Sequence, residues 1–421
     1  MSHKIFIWIV LFPFVLCSAG LGVAEQWYKG ALHFHSLRSD GDAAPEVTVS
    51  WYKEHGWHFA CVTEHNQMQD RERLRDITGD RPPTPEHVAA LKETFGEGWV
   101  ETVEEAGQSR LRLKTFGELE DRFNEAGTFL LIHGEEITSL LSGPHVNGLN
   151  IVEEIPAKVK AEAVSSARAY FEAVAAQESS TGQPMLTILN HPNFAESVTI
   201  EEMLQLPEYQ FFEVFNGHPS VNNWGHERKG YPSTDRFWDV VLTMRLLKGT
   251  PTPLYGVASD DAHEYFTYGV GEDNPGRGWV MVSAASLETA VLINAIKAGH
   301  FYATTGVILD TIIRENTGVS FTIQGEPGVT YVTRFVGSRK TCSTESQEYR
   351  NPNGEVPERA SRVYSEEIGE VFAETNSLNP AYRFSGDELY VRAIVISDKP
   401  HPNPFREGDL EMAWVQPVTA N

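Results

Sequence analysis

Short apolar runs alternate with amphipathic ones along most of the chain. Runs rich in β-branched, aromatic and Leu residues fall at 27–36 (WYKGALHFHS), 57–63 (WHFACVT), 128–133 (TFLLIH), 146–152 (VNGLNIV), 185–190 (MLTILN), 210–215 (QFFEVF) and 254–259 (LYGVAS). Their length and composition predict strands. The stretches between them carry helix signals. TPEHVAALKETFG has a Thr cap and a Gly stop, and TFGELEDRFNEAG has Thr115 as a cap, Glu118 three residues on and Gly127 as terminator. KAEAVSSARAYFEAVAAQE is an alanine-rich helix, and SLETAVLINAIKAG combines Ser286, a 3.6-residue apolar period and a Gly stop. Strands alternating with helices predict an α/β fold built on a parallel barrel or a closely related sheet. Residues 66–127 are long for one connection and are expected to be an insertion near the site. After about residue 310 the helical patterns cease. VSFTIQG, TYVTRFVGS, ELYVRAIVIS and EMAWVQP predict a small all-β C-terminal domain. The expected organisation is a leader over 1–24, an α/β body over 25–308 and an all-β accessory domain over 309–421.

The 421 residues, 41% of them hydrophobic, suffice for a large core, and a formal charge of −24 disfavours duplex nucleic acid as a partner. A cluster of metal ions attracts a small anion even in such a field. The start, MSHKIFIWIVLFPFVLCSAGLGVAE, has one Lys, an uncharged apolar run and a small-x-small site before Glu25. This pattern reads as a signal peptide and predicts a secreted or periplasmic protein, the alternative being an uncleaved membrane anchor. Leu16 before Cys17 fits a lipoprotein site poorly. Cys61 lies in an apolar run and reads as a small buried hydrophobe; with Cys342 far away, no disulfide framework is expected.

The C-terminal ends of the predicted strands carry the chemistry. The first ends in His33-Phe34-His35, with Asp40 beyond; the second in Thr63-Glu64-His65; the third in His133-Gly134-Glu135-Glu136. His145 opens the fourth, the fifth ends in Asn190-His191-Pro192, the sixth in Gly217-His218-Pro219 and the seventh in Asp260-Asp261-Ala262-His263. Each piece has an ordinary reading of its own: a cross-strand pair, a turn before proline, a helix cap. Their recurrence at the strand ends, where a parallel barrel gathers its loops, points to one metal site instead. Imidazole and carboxylate hold divalent first-row ions, and this many exceed what one tetrahedral ion can use, so two or three ions are expected, with Glu136 suited to bridge two.

In motif order over roughly 27–305, the chain resembles the PHP (polymerase and histidinol phosphatase) family of metal-dependent phosphoesterases. His33-x-His35 with Asp40, Thr63-Glu64-His65, Gly134-x-Glu136-Ile137-Thr138 with His145, His191 before proline, and Asp261-x-His263 resemble its successive motifs; Glu64 stands where the family usually has Asp. The resemblance implies a distorted seven-stranded (β/α) barrel. It also implies a first ion on His33, His35, Glu136 and Asp261, a second on Glu136, His145 and His191, and a third on Asp40, His65 and His263. The metal (zinc, manganese or iron) stays open, and the C-terminal domain loosely resembles that of secreted members.

The reaction expected is hydrolysis of a phosphomonoester or phosphodiester by a metal-bridging hydroxide, on a small anionic substrate. His33, His35, Glu136 and Asp261 would form its catalytic centre. His218 is a candidate proton donor or substrate contact, or else a turn histidine. Arg38 and Arg277 are candidate phosphate contacts, or else loop arginines. His133 reads as structural, and Glu64 and Asp260 as groups that orient the imidazoles. The alternatives are hydrolysis of a non-phosphorus ester, carbamate or amide at the same site, or a secreted binding protein without catalysis.

Overall fold

A computed structural model describes residues 25–139, 143–157, 162–250 and 253–420; the leader expected over 1–24 lies outside them. The strands are β1 (Gln26–Ala31), β2 (Phe59–Val62), β3 (Arg73–Asp76), β4 (Thr102–Glu105), β5 (Gln108–Leu113), β6 (Leu130–Thr138), β7 (His145–Leu149), β8 (Leu186–Leu189), β9 (Phe211–Asn216), β10 (Tyr255–Ser259), β11 (Trp279–Ala284) and β12 (Phe301–Thr304). They continue as β13 (Leu309–Glu315), β14 (Gly318–Ile323), β15 (Tyr331–Arg339), β16 (Ser346–Gln347), β17 (Val363–Tyr364), β18 (Glu370–Thr375), β19 (Ala381–Arg383), β20 (Glu388–Pro400) and β21 (Leu410–Thr419). The helices are α1 (Pro45–Glu54), α2 (Pro85–Phe95), α3 (Phe116–Phe123), α4 (Ala163–Thr181), α5 (Ile200–Met203), α6 (Thr234–Leu247) and α7 (Thr289–Lys297).

A thirteen-stranded sheet runs β10-β9-β8-β7-β6-β2-β1-β11-β12-β21-β20-β15-β18. The sheet is mixed, which departs from the parallel arrangement expected. β1/β2, β2/β6, β8/β9 and β9/β10 are parallel, but β7 runs against both β6 and β8. The link from Thr138 to His145 is too short for a crossover, so the chain can only reverse there. Beyond β1, a parallel bridge pairs Phe34 with Ala262. His35 N–H donates to Ala262 O at 2.9 Å and Asp261 N–H to His33 O at 3.0 Å. These bonds tie the end of β1 to the end of β10, so the β10-to-β1 run curls until its two outer strands meet where the histidines stand.

Local chemistry sets the elements. Thr84 and Thr115 close capping boxes on α2 and α3. α3 ends at Phe123 rather than Gly127, because Asn124 turns extended and its side-chain oxygen accepts the Leu131 N–H at 2.8 Å. α7 begins at Thr289, not Ser286, whose hydroxyl instead donates to Glu288. The insertion holds a β3-β5-β4 sheet with α2 and α3.

The strands after residue 309 are not set apart from the rest. β21 pairs with β12 and so extends the main sheet. Against α6, buried Arg392 donates to both carboxylate oxygens of Asp239 at 2.8 and 2.7 Å and to Asp235 at 2.9 Å. This fork-on-fork pairing locks β20 to the helix.

Candidate metal centre

The doublet His33 and His35 lies just past β1, and both side chains are fully buried. Between His35 and α1 the chain folds back tightly. Gly41 N–H donates to Ser36 O at 2.9 Å, and a Cβ at Gly41 would lie 2.8–2.9 Å from the Ser36 and His35 backbone. That close approach requires glycine and carries Asp40 over the His35 ring. His65 follows β2, Glu136 lies in β6, His145 opens β7, His191 follows β8, and Asp261 and His263 follow β10. Asp261 has φ 51°, a left-handed conformation costly for a side-chain-bearing residue and often retained at functional sites.

These residues converge on three overlapping groups, each within 4.8 Å: His33, His35 and Asp261; His33, Glu136 and His191; and His35, Asp40, His65 and His263. His145 joins the second through Glu136, its Nδ1 lying 3.0 Å from Oε1. All nine residues assigned to metal from the sequence are therefore brought together.

The hydrogen-bond partners decide which ring nitrogens carry protons. His33 Nδ1 faces Glu213 Oε1 at 2.8 Å. His35 Nδ1 is 3.2 Å from Ser39 Oγ, whose own proton goes to Glu64 at 2.5 Å. His263 Nδ1 faces the Asp261 carbonyl oxygen at 2.9 Å. His65 Nδ1 sits 2.5 Å from Thr138 Oγ1, whose hydroxyl donates to Glu136 O, and 2.6 Å from Glu136 Oε2. In each case Nδ1 is the donor, so the neutral ring presents a bare Nε2 inward. Yet His33 Nε2 and His35 Nε2 are 3.2 Å apart, and both are 3.1 Å from Asp261 Oδ1. The Nε2 atoms of His65 and His263 are 3.4 and 3.3 Å from Asp40. Acceptors face acceptors, and only an added cation or added protons satisfies them.

With protons alone, the charges distort one another. Burial would lower His33, but Asp261, Glu136 and Glu213 outweigh it and hold the ring well above its ordinary range. His65 is likewise opposed by burial, yet Glu136 and Asp40 raise it to about 11. His35, buried between His263 and His65, is pushed down to about 3. Burial would raise Glu136 and Asp261, but the surrounding imidazoles hold both well below the carboxylate range. Divalent ions replace these protons and leave every carboxylate ionised, so the donor set fits them.

Other candidates are placed differently. His218 Nδ1 accepts the Ser220 N–H at 3.1 Å, and its Nε2, 3.1 Å from Asp273 Oδ2, belongs to a fourth group of possible metal ligands, with His263 and Asp273, all within 4.8 Å. Arg277 directs all of its N–H groups at Gly217 O, Glu272 O, Gly269 O and Asn403. Arg38 donates to Lys114 O and Arg71 O. Both arginines brace loops; Arg277 has no N–H left over for a phosphate, whereas the buried Nε of Arg38 has no hydrogen-bond partner. His133 stacks on Phe116 and accepts the Gln69 N–H. Glu64 holds Ser36 and Ser39 and so supports His35, whereas Asp260 accepts from Tyr52 and from N–H groups of 276–278 and touches no imidazole of the cluster.

Three supporting residues escaped the sequence reading. Glu213 orients His33 and accepts the His191 N–H, Asn190 donates to Glu136 Oε1 at 2.9 Å, and Asn216 donates to Asp261 Oδ2 at 3.1 Å. Glu213 was the findable one, a lone carboxylate inside the apolar run QFFEVF.

No family model matches the chain, and no curated protein matches it. Among solved structures, it is similar to a two-domain protein from Bacteroides vulgatus described as containing a predicted PHP-like metal-dependent phosphoesterase. The identity is 15%, the TM-score 0.38, and the match covers 93% of this chain and 95% of that one.

Proposed function

We propose that the protein is a metal-dependent phosphoesterase. One observation carries this reading: the bare Nε2 atoms of His33 and His35 stand 3.2 Å apart, with Asp261 Oδ1 3.1 Å from each. His33, His35 and Asp261, with Glu136 at 3.5 and 3.4 Å from the two rings, would hold a first ion. Glu136, His145 and His191 would hold a second, and Asp40, His65 and His263 a third. Divalent ions, with zinc, manganese and iron all suited to this donor set, acidify water and offset charge on phosphoryl oxygens.

The chain's own residues prepare that chemistry. Glu213 and the Ser39–Glu64 pair fix the two central rings so that Nε2 points inward, and Asn190 steadies Glu136. Burial of His33, His35 and Glu136 excludes bulk water from one side, while half-exposed Asp40 leaves the other side open to substrate. Cys61 is fully buried, and burial raises its thiol, so it supplies no nucleophile. The cationic centre, in a chain of charge −24, selects a small anion.

In this reading β1, β2 and β6–β10 form a distorted seven-stranded barrel closed at the Phe34–Ala262 bridge, carried by 25–308, with an accessory all-β part over 309–421. Residues 1–24 act as a secretion signal.

Metal-loaded protein assayed on aryl phosphomonoesters and phosphodiesters beside aryl carboxylic esters and carbamates tests the reading. Turnover of phosphoesters is expected. Turnover of carbonyl substrates alone would move the reaction to carbon, and no turnover of any would leave a binding protein.

A further inference from the structure

A cavity of about 230 Å³ lies outside the metal cluster, between α1, α2 of the insertion and the chain after β10. Four of its lining residues, Trp51, Phe95, Tyr265 and Phe266, are aromatic, and two, Asp42 and Glu54, are carboxylates. No Lys or Arg is among its lining residues. The one basic side chain there, His87, has Nδ1 tied 2.8 Å from the Thr84 hydroxyl.

We propose that this cavity binds an organic ammonium ion. Aromatic faces carry partial negative charge and attract a cation whose hydration shell is weak, as a quaternary ammonium's is. An anion would meet Asp42 and Glu54. A neutral apolar guest would cover the Asp42 carboxylate, which keeps its Tyr265 N–H but gains no counter-charge, and that costs free energy. The volume suits a small ion rather than a drug-sized ligand. The wall is held in shape: Tyr265 N–H donates to Asp42 Oδ1 at 3.0 Å, Asp42 N–H to His263 O at 2.8 Å, and the Ser50 hydroxyl to Glu54 at 2.6 Å. Phe266 is 52% exposed and packs tilted against the His87 ring, 4.9 Å between centroids, so it can admit a ligand without disturbing the core. This site does not depend on the hydrolase reading.

Isothermal titration calorimetry of the full chain with benzyltrimethylammonium, its neutral carbon isostere neopentylbenzene, and benzoate tests the proposal. The ammonium is expected to bind saturably and about tenfold tighter than the isostere, with benzoate undetected. Asp42→Asn, which keeps an oxygen for the Tyr265 N–H, and Phe266→Ala, at an exposed ring, are each expected to weaken it several-fold with the melting temperature unchanged. Equal or tighter binding of the isostere, no saturable ammonium binding, or binding indifferent to Phe266→Ala would overturn the assignment. The probes contain no hydrolysable bond, so the result is separate from that of the esterase panel.

Discussion

Two of the buried clusters of charged and polar groups, around Arg392 and around His33, are solved in opposite ways. At Arg392, every acidic oxygen contacted meets a guanidinium N–H: Asp239 takes two, Asp235 takes one, and the Tyr390 hydroxyl adds another donor to Asp239. Around His33 the arithmetic fails. Three imidazoles have their protons drawn outward to Glu213, Ser39 and the Asp261 carbonyl, and their bare nitrogens face carboxylates and one another. A buried cluster closed within the chain is architecture. One that lacks positive charge by construction is a receptor for it.

The sharpest way to break this contrast is to remove a donor from the open cluster. His33→Ala and Asp261→Ala are each expected to cut phosphoester turnover by about a thousandfold or more and to lower bound metal, while circular dichroism stays native. Unchanged turnover would place the chemistry elsewhere. In the closed cluster the effect should fall on stability instead. Arg392→Ala leaves Asp239 buried without a counter-charge, and about 3–5 kcal/mol of unfolding free energy should be lost in urea titrations, with metal content unaltered.

A smaller change sharpens the comparison. Glu213→Gln keeps an oxygen near His33 Nδ1 but removes the charge that fixes its tautomer, so metal affinity should fall about 10–100-fold in competition with a chelator. Equal affinity would mean that the ring orientation is set by packing alone. The smallest effect concerns His133, outside the cluster, whose burial lowers its pKa from 6.5 to about 4. A depressed value means that the folded state favours the neutral ring. Its contribution is therefore full above pH 6.5 and is lost as pH falls from 6.5 towards 4. His133→Gln should narrow the gap between wild-type and variant urea midpoints over that range, and a constant gap would contradict it.

Much of this was legible because imidazoles and carboxylates interrupt apolar runs near their ends. The seven strands expected before residue 308 are present among the twelve described there, and eight of the nine converging side chains lie at or beyond a strand end; Glu136 lies inside β6, and β3–β5, β11 and β12 were not expected. What was not legible depended on geometry beyond a local window. The reversal of β7 follows from a link too short to cross over. α1 was missed because Ala44, its capping residue, makes no side-chain cap, and Pro45 reads equally well as a loop residue. The roles of Glu213, Asn190 and Asn216 arise across strands far apart in sequence. The continuity of β21 with β12 could not be seen in the change of composition near residue 310.

The central claim, that the open cluster exists to take up cations, is tested most directly by counting them. Protein purified without chelator and dialysed against zinc or manganese should retain two or three ions per chain by elemental analysis, and His33→Ala should retain fewer. Retention of no ion by the folded wild-type chain would contradict the account.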